Sequence, residues 1–205
     1  MKDWRKAVQV GFIWGSLITL PVSGQQENIS NAQLIESGHV EQAGRSTPYL
    51  IHRLPVSSFP QLPAAIAAQL TLRGCMIPQT YAAHHPENVI HASFETPGSS
   101  DWAVLCEAEG TVSLLVFLAS APENPLTLAS APQTARLQVH DLTGVLGFNW
   151  GIDPATPDEV HVAQAAMPHH PPRIAHDALA DSTVEGPTLY RFYAKSSWTL
   201  LPTPE

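Results

Sequence analysis

Proline constrains this chain more than any other residue type. The 205 residues contain nineteen prolines, nearly all beyond Thr47, and each one fixes a backbone dihedral and removes a hydrogen-bond donor. Long helices and long central strands are excluded over most of the chain. What remains is a domain of short elements joined by rigid turns. From Thr47 onward there are roughly 160 residues, a comfortable size for a single core, and no internal repeat divides them.

One helix is clear. Leu62, Ile66 and Leu70 recur at helical spacing among Ala64, Ala65, Ala67 and Ala68, which predicts a helix from about Leu62 to Arg73. Pro63 suits its first turn and Gly74 its left-handed end. Three strands follow. Asn88 to Glu95 and Asp101 to Glu107 alternate in apolar character, while Thr111 to Leu118 is apolar on both faces, as a central strand is. The Ala-Glu-Gly between the last two reads as a hairpin turn with Gly110 at the strained position.

Beyond Leu118 the pattern weakens. Arg136 to Leu142 alternates as a strand would, and Gly144 to Pro157 reads as loop. Thr156-Pro157-Asp158-Glu159 has the form of a capping box and favours a short helix. Leu189 to Ala194 and Ser197 to Leu201 read as two strands about a Lys-Ser turn, and are expected to close the sheet. The fold expected is α+β: an antiparallel meander with one or two covering helices.

The amino terminus carries a different signal. Lys2, Arg5 and Lys6 precede an uncharged stretch from Ala7 to Leu20, followed by Val22-Ser23-Gly24. A basic head, an apolar middle and a small-residue tail predict a signal peptide over residues 1–24, with cleavage before Gln25. The alternative is an uncleaved anchor, near the lower length limit for crossing a bilayer. Residues 25–46, rich in Gln, Asn, Ser, Glu and Gly, are expected to form a disordered leader ahead of a single domain over 47–205. Cleavage would remove three of the ten Lys and Arg and one of the eighteen Asp and Glu, and so move the formal charge from −8 to −10. An acidic chain gains nothing from a phosphate backbone, which argues against nucleic-acid and anionic-lipid partners. The expected location is secreted or periplasmic, with no stable membrane insertion once the signal is cleaved.

The runs LTLRGCMIPQ (70–79), NVIHASFETPGSSDWAVLC (88–106), PRIAHDALAD (172–181) and YRFYAKSSWTLL (190–201) resemble a group of uncharacterised exported bacterial proteins. That resemblance implies a shared fold and export, and carries no activity. A narrower resemblance lies in Ser93-Phe94-Glu95-Thr96-Pro97-Gly98-Ser99-Ser100-Asp101, which is similar in shape to the calcium loops of FG-GAP propeller repeats. Here Pro97 stands where a ligand belongs and only one copy is present, so the run is expected to be a loop stabilised by an Asp side chain.

Few residues suggest chemistry. Export favours pairing of the two cysteines, and Cys75 at a helix end could meet Cys106 on an inward strand face. Ten histidines are present, densest at His161, His169, His170 and His176 with Asp177; His84-His85 form a second pair. A zinc hydrolase using His169, His170, His176 and Asp177 is one reading. The spacing matches no metal motif, however, and the flanking Pro168, Pro171 and Pro172 indicate an exposed turn. Ser99, Ser100 or Ser182 could act as nucleophile beside His176-Asp177, although no nucleophile elbow is present; the simpler reading makes Asp177 a turn cap and bonds His176 to backbone. Trp102, Trp150, Trp198, Tyr190 and Tyr193 could hold a sugar or peptide, or could be sheet core. His176, Asp177, Asp101 and Trp102 are the candidate site, and no cofactor is implied. The leading expectation is a non-catalytic module binding a protein or a small molecule.

Overall fold

A computed structural model describes residues 34–42, 44–165 and 173–202. The predicted signal peptide lies outside the described residues, as do His169 and His170. The fold is α+β, built on two sheets. The larger has the strand order β7 (Leu126–Pro132), β6 (Thr111–Phe117), β5 (Asp101–Ala108), β3 (Met76–Gln79), β2 (Arg45–Pro55), β9 (Leu146–Phe148) and β8 (Leu137–Val139). Strand β1 (Leu34–Gln42) flanks β2, and β4 (Val89–Ala92) flanks β5. All its pairings are antiparallel except that of β2 with β9. The smaller sheet is the meander β10 (Trp150–Ala155), β11 (Ala178–Thr183), β12 (Thr188–Ala194) and β13 (Ser197–Pro202).

Strand alternation sorts the core into layers. On β5, Ala103 and Leu105 join Leu114, Phe148, Trp150, Ile152 and Leu179 in one cluster between the sheets. Trp102, Val104 and Cys106 face the opposite way, against Ile66 and Leu70 of helix α1 (Ala64–Leu72). Helix α2 (Pro157–Ala165) covers the smaller sheet, with Val160 against Ala178, Ala180 and Phe192. The capping box forms as expected: Glu159 accepts the Thr156 amide at 2.7 Å, and the Thr156 hydroxyl accepts the Glu159 amide at 3.3 Å. The disulfide Cys75–Cys106 staples the end of α1 to β5, with Cα atoms 5.0 Å apart.

Three expectations need correction. From Leu34 the supposed leader is a nine-residue strand, paired along its whole length with β2. It lacks an apolar stripe because it lies at an edge, where Glu36 meets Arg53, Gln133 and the Tyr49 hydroxyl instead of hydrocarbon. The supposed loop over 144–157 contains β9 and β10, with Leu146, Phe148, Trp150 and Ile152 all buried. Gly147, Asn149, Gly151 and Pro154 disguise this alternation. Finally, the terminal strands do not close the first sheet; they build the second, together with β11.

Polar side chains fix how the sheets meet. Asn88 adopts φ 68° and is buried, a backbone region that asparagine tolerates better than most residues. Its amide nitrogen donates to the Pro78 carbonyl at 2.7 Å, and its oxygen accepts the Ile152 amide at 3.0 Å. Asp181 accepts the Trp150 indole at 2.6 Å and pairs with Arg191 at 2.8 Å, while the Arg136 guanidinium lies over the Trp150 ring. Burial lowers the Arg136 pKa, opposed by the Asp181 charge.

Candidate binding cleft

The carboxylates singled out by the sequence serve the loop from Ser93 to Asp101. Asp101, fully buried at the start of β5, accepts the Glu95 amide at 2.8 Å, the Ala119 amide at 2.7 Å and the Ser99 hydroxyl. Asp177 accepts the Ser93 amide at 3.0 Å and returns its own amide to the Ser93 carbonyl at 2.9 Å. The Ser93 hydroxyl donates to the Ser99 carbonyl, so one network runs from Asp177 to Asp101 and ties the two sheets together. His176 bonds through Nδ1 to the Asp177 carbonyl at 2.9 Å. Carboxylates that hold backbone amides are poorly placed to take protons from a substrate.

The structure does not bring all four candidates into one pocket. Trp102 points away from Asp101, to the α1 side of β5, where its ring meets His91 at 4.6 Å. His91, not His176, contacts a candidate serine: its Nε2 lies 2.8 Å from the Ser100 hydroxyl on open surface. Trp150 is core, and Trp198 packs on Phe94 and Tyr193. His84 and His85 are exposed, and His161 accepts the Arg173 guanidinium at 3.2 Å. Among the described residues, no three His, Cys, Asp or Glu side chains are placed to hold a metal ion.

A concave site lies elsewhere, on the outer face of β2. Leu50 and His52 of β2, Gln79 of β3, Tyr81 and His140 are among the residues lining a cleft of about 170 Å³, together with Phe148 of β9, whose side chain is packed in the core between the sheets. The Tyr81 and His140 rings stack with centroids 4.9 Å apart, 16° from parallel. Gly147 makes that stack possible, because a Cβ there would lie 2.6 Å from Tyr81 Cβ and 2.8 Å from His140 Cδ2. The loop carrying Tyr81 is pinned from both ends: the Gln79 side chain exchanges bonds with the Glu87 backbone, and the Glu87 carboxylate accepts the Thr80 amide at 2.7 Å. Next to His140, Asp141 accepts the Thr143 hydroxyl and amide, which hold its carboxyl below the usual range. Burial, reinforced by the Glu185 carboxylate, pushes the Tyr81 phenol above its ordinary value.

No carboxylate lines this cleft. Its walls present imidazole and phenol ring surface beside Leu50, while the Gln79 amide is spent on the Ile77 and Glu87 backbone and the Tyr81 hydroxyl is shut from solvent. Such a lining suits recognition of an apolar body with few polar atoms. Sequence reasoning missed it because its residues come from four separate elements at no recurring spacing. The one local signal is Gly147, a glycine between two buried apolar residues of a strand, which indicates close approach by something else.

Fold and site together define a disulfide-stapled α+β domain of two packed sheets with a small open cleft. No family model matches the chain, and neither a curated protein nor a solved structure matches it.

Proposed function

We propose that this chain is exported and that its domain is a non-catalytic binding module, taking a small ligand with a single aromatic or heteroaromatic ring in the cleft beside Tyr81 and His140. One observation carries the reading: the ring stack, seated by Gly147, walls a space lined by Leu50 on the same face of the sheet. Its volume is close to the roughly 150 Å³ that accommodates one benzene ring in an apolar cavity. The imidazole edge of His140 provides a polar contact that would orient a ring substituent. Export is supported by the basic and apolar order of residues 1–20 and by a disulfide of the kind that persists in oxidising compartments.

The test is an NMR titration of the untagged protein with phenol, benzoate and indole. At least one probe should shift the Tyr81 and His140 ring resonances saturably. Gly147→Ala, which unseats the stack, and His140→Ala, which removes half of it, should each weaken binding by about tenfold, on the order of 1.4 kcal/mol. If no probe moves those resonances at millimolar concentration, or if binding is unchanged in both variants, the reading fails.

A further inference from the structure

Strand β1 forms an outer edge of the larger sheet and, among the described residues, pairs with β2 alone. Natural sheets blunt their edges with short strands, proline, lysine or irregular pairing. The other edges here follow that rule. Strand β8 has three residues, β7 follows Pro125 and ends at Pro132 with a register shift against β6, and β13 ends at Pro202. Strand β1 does not follow it: its nine residues, LIESGHVEQ, include no proline and no lysine or arginine.

Two prolines fix which backbone groups of β1 face outward. Pro48 has no amide hydrogen and stands opposite His39, as suits a pair without exchanged bonds. On the other side of β2, Pro78 stands opposite Arg53, which turns the Arg53 N–H and C=O toward Leu34. Both give the same phase. Even-numbered residues of β1 bond to β2, and Ile35, Ser37, His39 and Glu41 direct their amides and carbonyls away from the sheet.

We propose that β1 pairs antiparallel with β1 of a second copy about a two-fold axis at Gly38, joining two larger sheets into one. This register alone uses all nine residues of both strands, and it satisfies the phase set by the prolines. It exchanges bonds between Ile35 and Glu41 of the partner subunit, and between Ser37 and His39 of the partner subunit. Glu36 falls opposite Val40 of the partner subunit, so no carboxylate stands directly opposite another, an arrangement that would be destabilising. A symmetric, self-complementary contact of this kind closes as a dimer and does not propagate.

Sedimentation equilibrium on the untagged protein tests this. The account expects a reversible monomer–dimer equilibrium. Ser37→Pro removes one outward amide and no bond to β2, and should raise the dissociation constant by on the order of tenfold with the melting temperature little changed. The paired replacements Ser37→Cys and His39→Cys should give a covalent dimer on oxidation, whereas Ser37→Cys with Glu41→Cys, which do not face each other in this register, should not. A chain that stays monomeric, a dimer indifferent to a folded Ser37→Pro variant, or equal cross-linking in both cysteine pairs would overturn the proposal. Should Ser37→Pro fail to fold, the contrast between the cysteine pairs decides alone.

Discussion

Asp101, itself fully buried, links loop to sheet through two backbone amides and a hydroxyl. Replacing one carboxylate oxygen by an amide nitrogen sets a donor against a donor. Asp101→Asn should therefore cost about 3 kcal/mol, read as a lower urea midpoint with an unchanged slope. Asp153 presents the opposite case. Although Asp153 is exposed on β10, partial desolvation, and then the Glu87 charge, raise its pKa above the ordinary 3.8, so the ionised form is mildly disfavoured in the folded state. That penalty is absent below the unfolded pKa, grows as pH rises through the folded value, and is complete at neutrality. Asp153→Asn should accordingly raise the melting temperature at pH 7, and the gain should vanish below about pH 4.

Among the elements, those legible in the sequence bury a regular apolar pattern. Helix α1 has Ile66 and Leu70 at helical spacing, β5 and β6 alternate into two core clusters, and α2 announces itself through Thr156 and Glu159. Strand β1 was illegible because Glu36 and Tyr49 satisfy each other there, and hydrophobic periodicity cannot register a polar contact. Strand β9 was illegible because Gly147, needed for the Tyr81–His140 stack, reads as a breaker. The staple between α1 and β5 was expected from the two cysteines together with the predicted export signal. It closes a sequence separation of 31, worth roughly 3 to 4 kcal/mol in the chain-entropy model. Cys75→Ala with Cys106→Ala should lower stability by about that amount plus a small packing loss, measured by denaturant titration under oxidising conditions.

At the scale of the molecule, two sheets share one core, each carries a helix on its outer face, and the polar residues that looked catalytic hold the sheets together. Asp177, Asp101, Asn88 and Asp181 all bridge elements distant in sequence. Asp177 and Asp101 stood out in the sequence, but their partners did not, because backbone amides leave no mark on side-chain spacing. The cleft lies on the larger sheet, where β2 pairs with both β9 and β3 and so brings the Gln79–Glu87 loop beside them. The most direct test of the central claim is a crystal of the full domain soaked in phenol. Density is expected for one ring against Tyr81, above Leu50, with its hydroxyl toward His140. An empty cleft, with the ring bound elsewhere or not at all, would contradict it.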